Sequence, residues 1–219
     1  MNNQVLVIAV HPDDETLGCG GSLLKHKDSG DDIHWLICTS LVQKNKYYQK
    51  RDKEINQVSK LFKFSSVNKL LFETTKIDQY KLNDLIDKIS LVIDKIKPNI
   101  IYLPFKDDVH TDHKIIFEAS YSCTKSFRNP FIKKIYMMET LSETDFAPSI
   151  PQQSFVPNTF VDISKYMEKK IKIMNVYKSE ISQHPFPRSE KNIKALGTLR
   201  GASCGCEYAE SFMLLKSIS

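Results

Sequence analysis

Arginine is scarce in this chain. Only four of its 31 basic residues are arginine (Arg51, Arg128, Arg188 and Arg200), and the remainder are lysine. Arginine is the side chain that forks onto phosphates and base edges. The net charge of +5 therefore does not predict a nucleic-acid partner. The lysines are spread along the chain and mixed with acids, as in KHKD, KNKYYQKRDK and YMEKKIK, which is the pattern of a solvated surface. Cysteine is also sparse. The five (Cys19, Cys38, Cys123, Cys204, Cys206) are an odd number without framework spacing, which suits reduced thiols rather than disulfides. Cys204-Gly205-Cys206 is the one close pair, and it lacks the C-x-x-C spacing of a metal knuckle. No apolar run approaches the roughly 18 residues of a spanning helix. The N-terminal MNNQVLVIAV leads directly into a strand pattern, with neither a basic region nor a small-residue cleavage site. The expectation is a cytoplasmic protein without membrane insertion. Repeats and low-complexity segments are absent, and the length of 219 residues suits a single domain over 1–219.

What is present is an alternation. Short apolar runs at 5–10 (VLVIAV), 33–39 (IHWLICT), 69–72 (KLLF) and 99–105 (NIIYLPF) predict strands, and 132–139 and 159–163 could extend the sheet. Between them, LLKHKDSG closes on a glycine in the helix-stop position. YYQKRDKEINQVSKLF and LNDLIDKISLVIDKIKP carry apolar residues at helical spacing, the latter ended by Pro98. Continuous apolar strands alternating with helices predict an α/β fold, Rossmann-like, with a mainly parallel sheet and helices on both faces. Residues 140–160, with three prolines, and QHPFPRS at 183–189 break this rhythm and predict long irregular loops.

The first strand ends in His11-Pro12-Asp13-Asp14-Glu15. In open parallel sheets, ligands bind just beyond the carboxyl ends of the strands. A helix N-cap would explain one acid there. It does not explain a histidine three positions before an aspartate, whereas a metal does: His11 supplies an imidazole and Asp14 a carboxylate across a tight turn, with Asp13 free beside them. A catalytic zinc has three protein ligands and keeps a position for water. The third ligand is offered by PFKDDVHTDHKII at 104–116, again just after a strand, where one of His110 and His113 completes the site and the other faces substrate. The glycines Gly18, Gly20 and Gly21 permit close packing and are no phosphate loop, because no Gly-Lys-Ser/Thr follows.

His11-Pro12-Asp13-Asp14-Glu15, Gly18-Cys19-Gly20-Gly21 and His110-Thr111-Asp112-His113 together resemble the zinc-dependent de-N-acetylases of the PIG-L/LmbE family, which act on N-acetylglucosaminyl compounds. The resemblance extends to Arg51-x-x-Glu54 and to Arg200-Gly201 through Tyr208-Ala209-Glu210-Ser211-Phe212. It implies one Zn2+ per chain held by His11, Asp14 and His113, with Asp13 as general base. It implies further that a protonated His110 stabilises the tetrahedral intermediate while Asp112 tunes that histidine. Arg51 matches a substrate-contacting position, although a salt bridge to nearby acids explains it equally well. His184 and Arg188 are expected to line the pocket, whose outer wall the two irregular stretches would form. Glu210 is expected to lie in a helix with a structural role, and His26 and His34 to be surface or strand residues. The expected partner is a small-molecule N-acetyl sugar or glycoconjugate; a homo-oligomer is left open.

Two rivals remain. His11-x-Asp13 with a distant His113 also spells the H-x-D…H triad of non-haem iron(II) oxygenases, which sit in all-β double-stranded helices. A non-catalytic carbohydrate-binding homologue is the other, and the full set of acids and histidines argues against it, since a binder needs no base.

Overall fold

A computed structural model describes residues 2–219. Seven strands form one sheet: β1 (Gln4–Ala9), β2 (Asp32–Ser40), β3 (Ser66–Glu73), β4 (Ile100–Leu103), β5 (Lys134–Met138), β6 (Thr159–Asp162) and β7 (Ala209–Ser217). Their order across the sheet is β3-β2-β1-β4-β5-β7-β6. β1 pairs in parallel with β2 and β4, and β3 and β5 extend the parallel ladder on either side. β7 runs antiparallel to both β5 and β6. Six helices accompany the strands: α1 (Asp14–Asp28), α2 (Tyr48–Phe62), α3 (Leu82–Ile96), α4 (Thr111–Ser122), α5 (Met167–Met174) and α6 (Glu190–Cys204).

The apolar run of β1 explains the layering. A strand presents alternate residues to opposite faces. Val5, Val7 and Ala9 join one core, with residues of α1, α2, α5 and α6. Leu6, Ile8 and Val10 join the other, with α3 and α4. All six are fully buried, so the strand reads as a continuous apolar run, as a central parallel strand must. The chain reverses direction across the sheet between β1 and β4: β2 and β3 lie to one side of β1, and β4 and β5 to the other. That switch point leaves a crevice above the carboxyl ends of β1 and β4. The two His/Asp segments follow these two strands. Among the described residues, no helix is long and apolar enough to cross a membrane.

One expected element differs. Glu210 lies in a strand, β7, not in a helix. The segment AESFMLLKS is rich in good helix formers, but pairing with β5 on one side and β6 on the other overrides that preference. Its structural role is well defined. α1 breaks its helical geometry at Cys19 (φ −147°, ψ 20°), which frees backbone groups on both sides of the kink. The Glu210 carboxylate accepts hydrogen bonds from the Gly21 and Ser22 amides at 2.8 and 2.7 Å. Lys170 Nζ donates to the Leu17 carbonyl at 2.8 Å and pairs with Glu210 at 2.7 Å. The kinked helix lies close to the sheet, where a Cβ on Gly21 would fall 2.6 Å from Ile163 and one on Gly18 2.9 Å from Met138. Removing one partner of a buried ion pair strands the other. Glu210→Ala should therefore destabilise the protein by about 3–5 kcal/mol, seen as a lower urea midpoint. An unchanged midpoint would remove Glu210 from the framework.

Candidate active site

The turn after β1 is closed by its own side chains. Asp14 Oδ2 accepts from the His11 backbone amide at 2.8 Å, which turns that carboxylate back over the histidine. α4 begins at the other strand end with His110 as its N-cap, so His113 lies one turn into the helix and faces the same crevice. Three donor atoms converge there. His11 Nδ1 lies 3.8 Å from Asp14 Oδ2 and 3.3 Å from His113 Nε2, and His113 Nε2 lies 3.4 Å from Asp14 Oδ2. A tetrahedral ion bound at about 2.0–2.2 Å needs ligand atoms roughly 3.4 Å apart, so the triangle fits a divalent cation. The local field agrees with this. Burial alone would lower the pKa of His113, but Asp14 and Asp108 outweigh it and hold it up at about 9. A field that draws a proton to that nitrogen also draws a cation.

The other ring nitrogens are anchored from behind. His113 Nδ1 meets Asp108 Oδ2 at 2.8 Å, and Thr144 Oγ1 donates to Asp108 Oδ1 at 2.6 Å. His11 Nε2 meets Asp112 Oδ2 at 3.3 Å, and the same carboxylate accepts from the Thr75 amide at 2.7 Å and the Ile77 amide at 3.4 Å. Carboxylates in this position set the orientation and basicity of ligand histidines. A second grouping, His11, His110 and Asp112, could also approach a cation. Its carboxylate is already committed to two amides and to His11, so the first triangle is the better site.

The Asp112 carboxylate thus contacts His11, and acts on His110, the residue it is expected to tune, through its charge alone. Only its backbone amide touches His110, donating to Nδ1 at 3.1 Å. That bond leaves the His110 proton on Nε2. Burial, with help from the neighbouring His11, lowers the pKa of His110 despite the opposing pull of Asp112. Nε2–H is therefore the donor this ring offers.

Asp13 stands apart from the triangle. Its backbone adopts φ 134°, a region that non-glycine residues avoid and that tends to mark functional positions. The conformation is held by Glu15, whose Oε2 accepts from the Asp13 amide at 3.0 Å. Glu15 Oε1 in turn accepts from Tyr177 Oη at 2.9 Å and from Thr16 Oγ1 at 2.5 Å. Burial and then Asp14 push the Asp13 carboxyl well above its ordinary pKa, against the opposing effect of Arg188. Arg188 Nη1 donates to Asp13 Oδ2 at 2.9 Å.

A cavity of about 230 Å3 opens over this floor, lined in part by His11, Asp13, Asp14, His110, Arg51 and Arg188. Arg51 both lines the cavity and forms the anticipated salt bridges, to Glu54 at 3.5 Å and to Glu180. Of the two irregular stretches, Leu141–Glu143 and Arg188 contribute to the wall. The rest of 140–160 does not. His184 does not line the cavity either; it faces a separate surface hollow with Asn175, Gln183 and Ser189. An irregular loop has no periodicity to say which of its side chains turn inward. His26 meets Asp31 at 2.7 Å, and His34 in β2 bonds Ser66 and Gln4, all away from the cavity lining. Sequence reasoning missed Asp108 and Glu180, and quoted Glu15 within the first motif without giving it a role. Asp108 stands five residues before His113 in the quoted segment and carried a usable signal; Glu180, a lone acid in a loop, carried none.

Residues 6–124, more than half of the chain, match the family described as GlcNAc-PI de-N-acetylase, PIG-L. The chain belongs to that family. The PIG-L match spans both His/Asp segments, all of β4 and β1 from Leu6 onward. Among curated relatives, the chain is 24% identical over 226 residues to diacetylchitobiose deacetylase of Thermococcus kodakarensis, covering 98% of this chain and 84% of the relative. Among solved structures, a conserved protein of Thermus thermophilus superposes with a TM-score of 0.80 at 22% identity, covering 99% of this chain and 96% of that one. The 4-carboxy-2-hydroxymuconate hydratase of Pseudomonas putida shares the fold with a TM-score of 0.75 at 15% identity, covering 100% and 98%. The PIG-L fold by itself thus does not select a reaction.

The Asp108 contact makes a prediction. Asp108→Asn should weaken metal affinity about 10- to 100-fold while leaving the three donors in place, measured by competition with a chromogenic chelator. Unchanged affinity would show that the Asp108–His113 contact is dispensable.

Proposed function

We propose that this chain is a metal-dependent hydrolase that removes the acetyl group from an N-acetylated amino sugar, with zinc as the cation. The observation that carries the reading is the convergence of His11 Nδ1, Asp14 Oδ2 and the buried His113 Nε2, with His11 and Asp14 lining the cavity beside Asp13 and His110. A cation bound to those three residues would polarise the acetyl carbonyl and acidify a water molecule.

The chain's own residues supply the rest. Asp13, with its raised pKa, accepts a proton from the attacking water and delivers it to the departing amine nitrogen. An amine leaves only when protonated, so one carboxylate serves both directions. His110 donates through Nε2–H to the carbonyl oxygen as negative charge collects there. Asp112 and Asp108 keep the His11 and His113 rings from turning, and Glu15 holds the Asp13 backbone in its strained conformation. The cavity is smaller than the roughly 300–1,000 Å3 of most small-molecule sites, so it suits one sugar ring with any aglycone outside.

The iron oxygenase reading finds less support. Asp13 is engaged by Arg188 and is absent from the donor triangle, and the sheet is a parallel α/β one. The test is acetate release. The zinc-loaded chain should liberate acetate and a free amine from N-acetylglucosamine or N,N'-diacetylchitobiose, lose this activity to a chelator and regain it with zinc. No acetate from any member of an N-acetyl sugar panel would overturn the proposal.

A further inference from the structure

The five cysteines fall into two groups. Cys19, Cys38 and Cys123 are buried, and burial pushes all three thiols up, Cys123 to about 11. Only the thiolate is a nucleophile, so these three are inert. Cys204 is exposed and Cys206 half-buried, and their sulfurs lie 3.5 Å apart. Burial, and then the neighbouring Cys204, push the Cys206 thiol up to about 11.

The backbone creates that approach. Cys204 is the last residue of α6, and Gly205 follows at φ 78° and ψ 32°, the left-handed conformation that ends many helices. The chain then folds back over the helix. The Cys206 amide donates to the Gly201 carbonyl at 3.0 Å, and a Cβ on Gly201 would fall 2.5 Å from the Cys206 carbonyl oxygen. This tight turn brings the two cysteines face to face. A disulfide bond is about 2.05 Å long, so the sulfurs need to close by only about 1.5 Å, within reach of rotation about the Cα–Cβ bonds. Among the described residues, no third donor stands close enough to make the pair a metal site. Neither cysteine lines the cavity above the His/Asp triangle.

We propose that Cys204-Gly205-Cys206 is a thiol–disulfide exchange site, which reduces a low-molecular-weight disulfide and closes into an intrachain disulfide. The exposed Cys204 thiolate attacks one sulfur of the small disulfide. The sulfur–sulfur bond breaks, and the leaving sulfur departs with the electron pair and takes up a proton. Cys206 then gives its proton to solvent and attacks the Cys204 sulfur, which expels the second small thiol. Two protein thiols are oxidised to one disulfide, and the small disulfide is reduced to two thiols. A leaving thiol of high pKa departs slowly, so the closed bridge resists attack that would expel Cys206. The proposal is independent of the deacetylase reading.

The test uses the full chain, reduced, freed of reductant and held under nitrogen with glutathione disulfide. The intact mass should fall by two hydrogen atoms, with two glutathione molecules released per chain. After unfolding, only Cys19, Cys38 and Cys123 should take up iodoacetamide. Cys206→Ser should stop at the intermediate, with one glutathionyl group retained on Cys204. Cys204→Ser should react about tenfold or more slowly than the parent, because the remaining thiol is half-buried and poorly ionised. Five free thiols in the treated parent would overturn the proposal. A lasting glutathionyl group on the parent's Cys204, or a bridge joining two chains, would overturn it too, since either shows that Cys206 does not resolve the mixed disulfide.

Discussion

Alanine at His11, Asp14 or His113 should each strip the bound cation and reduce acetate release to background. The three donor atoms stand 3.3–3.8 Å apart, and each supplies one corner of the triangle. Two remaining donors give a site no better than many on a protein surface. The measurement is elemental analysis after dialysis against zinc and then buffer, alongside circular dichroism to show that the sheet persists. Of the three, Asp14→Ala also removes the carboxylate that accepts from the His11 amide, so it should disturb the turn most. Full metal occupancy in all three variants would show that the cation, if bound, sits elsewhere. The second grouping of His11, His110 and Asp112 would then be the next to examine.

Asp13→Asn should produce the opposite pattern, with metal retained and turnover lost. Asparagine keeps the shape of the side chain and tolerates positive φ better than most residues, so the strained turn survives. What disappears is the proton acceptor. Loss of a positioned general base costs about 10²–10⁴ in rate. Metal content near that of the parent, with kcat reduced on this scale, is the expected result. Loss of the cation from Asp13→Asn would make this carboxylate a ligand and restore the H-x-D…H reading. Near-normal acetate release would remove Asp13 from proton transfer and turn attention to Glu143 or Glu180, the other carboxylates on the cavity wall.

The parallel sheet was legible because its physical cause is local. Strands covered on both faces must be apolar at every position, and VLVIAV and NIIYLPF state this without reference to anything distant. The His/Asp clusters were legible for a related reason. Each is short, and each directly follows such a strand, where the fold makes its crevice. β7 was not legible. Its residues prefer a helix in isolation, and only its two neighbours in the sheet make it a strand.

The sequence by itself thus determined the layers of the fold, the strand ends that carry the chemistry, and the residue types available there. Tertiary structure decided the pairings. The Asp112 carboxylate contacts His11, 101 residues away, a pairing that nothing in the local sequence announces. Arg188 reaches Asp13 across 175 positions while His184, four residues earlier, faces another surface hollow. Glu180 ties Arg51 to Arg188 from a segment with no periodic pattern. The physical reason is common to all three. Regular elements write their burial into a repeat of 2 or 3.6 residues, whereas a side-chain contact between segments distant in the chain depends on where the whole chain has carried them, and leaves no local trace.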